Sequence, residues 1–114
     1  MTHATVTASL HTVLTALADP VRLEMVRRLH RERRPLACGE LYDGVTKATA
    51  SHHFKVLREA GLTRRDDLGA TARQLLLIDE ANAAYPGLLE AVLRAAEREA
   101  AEPGATSPAT PARE

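Results

Sequence analysis

Apolar residues recur at three- and four-residue spacing along most of the chain, the signature of amphipathic helices. Val6, Leu10, Val13, Leu14 and Leu17 form a first stripe on a segment with little charge. Asp19-Pro20 then reads as a helix start, since Asp is a good N-cap and the N–H that Pro lacks has no helical partner in the first turn. A second helix is predicted from about Pro20 to Arg31. It buries Val21, Leu23, Val26 and Leu29 in some combination and carries Arg22, Arg27, Arg28 and Arg31 on its other face. A short third helix is predicted over Leu36 to Tyr42, with Leu41 as its main core residue and Asp43-Gly44 ending it. Thr46 is placed to cap a fourth helix, from about Lys47 to Ala60, on which Ala50, Phe54 and Leu57 share one face. Gly61 ends that helix.

The third and fourth helices, joined by a tight Gly-containing turn, form a helix-turn-helix pattern. Beyond Gly61, the stretches Leu62 to Asp67 and Thr71 to Ile78, split by Leu68-Gly69-Ala70, read as a hairpin of modest strand propensity. Asp79 can cap a final helix that Pro86 interrupts, whose firm part runs from about Tyr85 or Gly87 to Ala100 with Leu88, Leu89, Val92 and Leu93 as its stripe. The expected organisation is one mainly α domain with a small β-hairpin wing over residues 6–101, in the order α-α-α-α-β-β-α. Residues 1–5 are expected to be flexible, and the Pro-, Ala- and Ser/Thr-rich residues 102–114 disordered.

Composition narrows the function. At 114 residues the chain supports one core. Its only aromatics, Tyr42, Phe54 and Tyr85, argue against an aromatic cage, a base-stacking platform or a haem pocket. No apolar run approaches the ~18 residues of a membrane span. The opening MTHATVTASL lacks the basic and apolar regions of a signal peptide. A single cysteine forms no internal disulfide and suits a reducing cytoplasm. The formal net charge of zero hides an asymmetry: residues 21–73 hold 12 Lys/Arg against 7 Asp/Glu, whereas residues 74–114 hold 3 against 7. A basic middle between neutral and acidic ends suggests one face for a polyanion.

The strings LADPVRLEMVRRL and TKATASHHFKVLREAGLTRRDDLGATARQLLL resemble the ArsR/SmtB family of bacterial winged-helix transcription regulators. The resemblance runs from about Leu14 to Leu93, and ATASHHFKVLREAGL is its specific part. It implies a homodimer built from the first and last helices. That dimer would bind an imperfectly palindromic operator near its own gene as a repressor, and an inducer would release it. The residues agree with a dimer: so small a domain has little core, and the stripes of its first and last helices need a partner.

In such a unit the fourth helix enters the major groove with its N-terminal half toward base edges. With Ala50, Phe54 and Leu57 inward, Lys47, Ala48, Thr49, Ser51 and His52 fall on or near the outward face. Lys47 and His52 can donate to guanine or phosphate, and Thr49 and Ser51 can donate or accept. The family often has Gln at position 47 and Ser at position 48, so the operator is not carried over. Lys55 and Arg58 can touch the backbone or stand in solvent. Arg64, Arg65 and Arg73 sit on the predicted wing, where basic side chains reach phosphate or the minor groove, although Asp66 and Asp67 weaken that field. His53 reads two ways, as a packed core-edge histidine or as a phosphate contact. Arg33 and Arg34 read as ordinary surface.

The inducer is less legible. One metal pattern of the family places Cys-x-Cys at the start of the third helix; here Cys38 falls between the two positions. The other lies on the last helix, and here Asp79 is present but residue 81 is alanine and no histidine follows His53. No metal or cofactor site is therefore expected, and His3 and His11 read as exposed. Cys38 alone is a candidate sensor thiol, near a predicted helix N-terminus and near Arg33 and Arg34 in sequence, both of which lower a thiol pKa. The opposing reading is an inert, space-filling cysteine. Two alternatives stay open: a repressor answering to an organic ligand with no cysteine role, and a winged helix that binds protein rather than DNA. An enzyme is not expected. No phosphate loop or nucleophile elbow is present, and a Cys38–His52 or Cys38–His53 dyad lacks an orienting third group.

Overall fold

The computed structural model describes residues 7–67, 69 and 71–102, and the expectations for residues 1–5, for His3 and for residues 103–114 lie outside them. Within the described residues the order is α1 (Leu10–Leu17), α2 (Pro20–Glu32), β1 (Leu36–Ala37), a 3-10 turn (Cys38–Glu40), α3 (Lys47–Glu59), β2 (Thr63–Asp66), β3 (Arg73–Leu76), α4 (Ile78–Ala84) and α5 (Leu88–Ala101). None of these helices is long and apolar enough to cross a membrane.

Local sequence chemistry sets the main helix ends. Ser9 caps α1 by accepting from Thr12 N–H, and Asp19 caps α2 by accepting from Val21 and Arg22 N–H. Thr46 caps α3 by accepting from Thr49 N–H. At the other end of α3, Gly61 N–H donates to Arg58 at 2.9 Å and Leu62 N–H to Leu57 at 3.1 Å. Gly61 takes φ +77°, a left-handed conformation in which a side chain is costly. These paired bonds close the helix and turn the chain into the wing.

Three sequence expectations are corrected. Leu36 to Tyr42 is not a helix. Leu36 and Ala37 pair with Gln74 and Arg73 of β3, and only the three-residue 3-10 turn follows. So few residues between Pro35 and Gly44 gain more from an edge-strand pairing than from a helix nucleus. Leu41 is still core, at 1% exposure. The expected hairpin forms from β2 and β3 but is not the whole sheet: β1 joins it as a third antiparallel strand, in the order β1-β3-β2. The final helix is two: α4 starts at Ile78 without a side-chain cap, so Asp79 lies inside its first turn. Pro86 and Gly87 (φ +83°) then separate it from α5.

The core is built around α2, whose Met25, Val26 and Leu29 are buried among Val13, Leu17, Leu57, Leu62, Leu89 and Leu93. Val21 and Leu23 are only partly buried. The first apolar stripe divides: Val13 and Leu17 face the core, while Leu10 and Leu14 remain 45% and 44% exposed. Several arginines on the polar face of α2 are structural. Arg27 binds Glu24 at 2.8 Å and reaches Glu97 of α5 at 3.0 Å. Arg28 donates to Glu24 (2.8 Å), the Glu40 carbonyl (3.0 Å) and Asp43 (2.9 Å). Arg27 and Arg28 are therefore engaged within the fold, and Glu97 is the one acid from outside residues 21–73 that pairs with them here.

These pairs make stability depend on acid. The hydrogen bond from Arg27, with that from Arg28, outweighs burial and holds the Glu24 carboxyl below its usual range. Burial pushes the Asp19 carboxyl up, but the N–H groups of Arg22 and Val21 outweigh it and the net shift is downward. A carboxylate depressed in the folded state stabilises above its unfolded pKa and loses that contribution as pH falls through the folded value. The urea midpoint is expected to drop as pH falls below about 4.5, and Glu24→Gln to flatten that limb. An acid limb of equal steepness in wild type and variant would contradict the assignment.

Candidate nucleic-acid interface

Helix α3 has a buried face and a free face. Ala50, His53, Phe54 and Leu57 are buried. Lys47, Ala48, Thr49, Ser51, His52 and Lys55 are all exposed, as one helical period requires once Ala50, Phe54 and Leu57 are fixed. Thr49 Oγ1 accepts from Thr46 Oγ1 at 3.0 Å, which orients its hydroxyl and leaves its own proton to donate outward. Lys55 lies 4.0 Å from Glu59, a loose exposed pair. Lys47 and Arg58 make no ion pair among the described residues. Phe54 meets Tyr42 edge to face, with ring centres 6.2 Å apart, so the turn preceding α3 is braced against its buried face.

His53 is packed, at 8% exposure. Its Nδ1 lies 3.0 Å from Arg22 Nη1. A guanidinium only donates, so Nδ1 accepts and the ring proton of neutral His53 sits on Nε2. The same Arg22 donates through Nε to the Ala16 carbonyl at 2.8 Å and through Nη2 to the Thr15 carbonyl at 3.4 Å. One arginine thus joins the end of α1, the start of α2 and the middle of α3. The sequence reading left His53 open and put Arg22 on an outer face. The only signal was a His one residue before a core Phe, which does not name a partner 31 positions away. Arg22→Ala is expected to cost about 1–3 kcal/mol by leaving buried acceptors unpaired. Urea unfolding at fixed protein concentration checks this, and a change below about 0.5 kcal/mol, the usual range for an ordinary surface site, would show that Arg22 is no brace.

The three wing arginines do not share a face. Strand register places Arg65 opposite Gln74, and Arg64 opposite Leu75 with Asp66 opposite Arg73. Opposed residues project to one side of a sheet and successive residues alternate. Arg65 therefore lies on the side of buried Thr63 and Gln74, and Arg64 and Arg73 on the other. All three are exposed. Arg65 Nε donates to Asp67 Oδ1 at 2.7 Å, so one of the two acids expected to weaken the wing field is paired with it.

Cys38 is half-buried, in the 3-10 turn. A three-residue turn has no helix dipole of consequence, so the helix N-terminus expected beside the thiol is absent. Arg34 is paired with Glu32 and Glu40, at 3.9 and 3.7 Å. Arg65 of the wing lines the same cleft as Cys38. Gln74 Nε2 lies 3.8 Å from the Cys38 sulfur. Among the described residues no three His, Cys, Asp or Glu side chains come together as a metal-ligand set.

A capped, exposed helix behind a short turn, flanked by a basic antiparallel wing, defines a winged helix-turn-helix unit. Residues 17–66 match the helix-turn-helix domain family. The chain is 40% identical over 80 residues to the HTH-type transcriptional regulator YceK of Bacillus subtilis (strain 168), covering 68% of this chain and 80% of that relative. An ArsR-like transcriptional regulator from Rhodococcus sp. RHA1 has the same fold, with a TM-score of 0.58 and 26% identity over 81% of this chain and 87% of that one. The transcriptional repressor BigR from Xylella fastidiosa gives 0.51 and 25%, over 67% of this chain and 85% of that one. The chain belongs to the ArsR-type winged helix-turn-helix family of transcriptional regulators.

Proposed function

We propose that the protein is a homodimeric, sequence-specific repressor that acts in the cytoplasm, binds an imperfectly palindromic operator and is released from it by an inducer. The observation that carries this reading is the exposed face of α3, with Lys47, Ala48, Thr49, Ser51, His52 and Lys55 set outward by a rigidly packed opposite face. Thr49, Ser51 and His52 read base edges, while Lys47, Lys55 and the wing residues Arg64, Arg65 and Arg73 contact phosphate. Leu10 and Leu14, apolar and half exposed on α1, join α5 in the subunit contact. A two-fold axis there sets two α3 helices about one DNA turn apart. The inducer acts through the Cys38 thiol beside this face. The relatives are regulators, and the arrangement of Cys38, His52 and His53 offers no catalytic set, since His53 is held by Arg22.

Selection of genomic fragments on the reduced protein tests the reading. It is expected to enrich one motif of two inverted half-sites with centres about 10–10.5 base pairs apart. No enrichment over bulk DNA, with retention of a specific protein partner instead, would favour an interaction module. Leu10→Lys with Leu14→Lys is expected to shift sedimentation from dimer to monomer, and an unchanged dimer would move the contact elsewhere.

A further inference from the structure

The 3-10 turn, α3 and the wing enclose a cleft of about 520 Å³, within the size range of small-molecule sites. Its described lining includes Cys38, Lys47, Phe54, Arg58, Arg65 and Gln74 and no carboxylate; of its three cations Arg65 is paired with Asp67 outside the lining, and Lys47 and Arg58 have no ion pair among the described residues. That sets it apart from the groove along α2, where Glu24, Glu32 and Glu40 offset the arginines. DNA phosphate accounts for the cations but not for the other two features of the cleft. One is the half-buried thiol of Cys38. The other is Gln74, at 1% exposure, whose Nε2 faces the Cys38 sulfur while its Oε1 has no hydrogen-bond partner. A buried amide oxygen without a donor is costly, and an occupant with an N–H or O–H group relieves it.

We propose that this cleft binds an anionic, peptide-like disulfide of low molecular weight and that Cys38 captures half of it as a mixed disulfide. Lys47 and Arg58 hold the carboxylates, and Gln74 Oε1 accepts from an amide or ammonium N–H. The Cys38 thiol loses its proton to solvent, and its sulfur attacks one sulfur of the bound disulfide. The disulfide bond breaks, a bond from Cys38 to the attacked sulfur forms, and the departing thiolate takes a proton from water. Cys38 is oxidised, the released half is reduced, and the disulfide is the oxidant. The adduct lies against Lys47, Ser51 and Arg65, so it excludes DNA from that edge of α3 and the wing. This last consequence rests on the proposed DNA interface, whereas the capture step does not.

Intact-mass kinetics with glutathione disulfide (anionic) and cystamine (cationic) test the capture. The folded reduced protein is expected to gain one half-disulfide at Cys38 at least about tenfold faster from glutathione disulfide, the scale on which charged clefts bias encounter. Lys47→Gln with Arg58→Gln is expected to abolish the preference, and Cys38→Ser to gain no mass. Equal rates for the two probes, or a preference that persists in urea-unfolded chain, would overturn the site. The adduct is expected to bind the selected operator at least tenfold more weakly, with Cys38→Ser unaffected by the probe. An adduct formed with the expected preference but with undiminished operator affinity would overturn the regulatory consequence. If unmodified protein binds no DNA, the interface reading fails while the capture kinetics still decide the site.

Discussion

Replacing Phe54 by alanine is expected to destabilise the fold by about 3–5 kcal/mol, the usual range for a buried phenylalanine truncated to a methyl group. Phe54 is 6% exposed, on the buried face of α3. Its ring is the partner of Tyr42, in the segment between the 3-10 turn and α3. Truncation leaves a cavity where those two elements meet. For a domain whose whole stability is about 5–15 kcal/mol, the loss is a fifth or more. Urea unfolding at fixed protein concentration is expected to show a lower midpoint with an unchanged slope. A loss below about 1 kcal/mol, under the range for truncating any large buried side chain, would mean that α3 is held by other contacts. The Arg22 brace to His53 and the pairing of β2 with β3 would then carry it.

The largest effect on binding is expected from Lys47→Ala combined with Arg64→Ala. Both side chains are exposed and neither is ion-paired among the described residues, so the fold is expected to tolerate the change. Two charges lost from each half of a dimer remove four phosphate contacts. This makes the log–log salt slope shallower by about 3.6, which over the decade from 1 M to 0.1 M salt lowers operator affinity by about 10³–10⁴. Titration of the variant at several salt concentrations checks both figures. A weakened complex with an unchanged slope would show that these residues act on the fold and not on phosphate.

The helices that sequence reading placed well are those whose ends are written locally. Asp19-Pro20 starts α2, and Thr46 and Gly61 bound α3, because caps involve residues two to five positions apart. The outward face of α3 followed from three apolar positions for the same reason. What escaped was tertiary. Leu36-Ala37 is a strand only because Arg73 and Gln74 lie beside it, and nothing within residues 36–42 announces that partner. The split of α4 from α5 at Pro86-Gly87 was half visible, as a break whose second side was read correctly. The role of Arg22 and the division of the wing arginines between two faces depend on contacts or register across the fold. The surroundings of Cys38 were misread through a helix that does not form: Gln74 lies against its sulfur, and Arg65, distant in sequence, lines the same cleft.

Fluorescence-anisotropy titration of the reduced protein against the DNA upstream of its own gene, with a scrambled duplex as control and at two salt concentrations, tests the central claim most directly. The account predicts binding to the upstream duplex at least about 10³-fold tighter than to the scrambled one, weakening steeply as salt rises. Equally weak binding to both duplexes, with little dependence on salt, would contradict it.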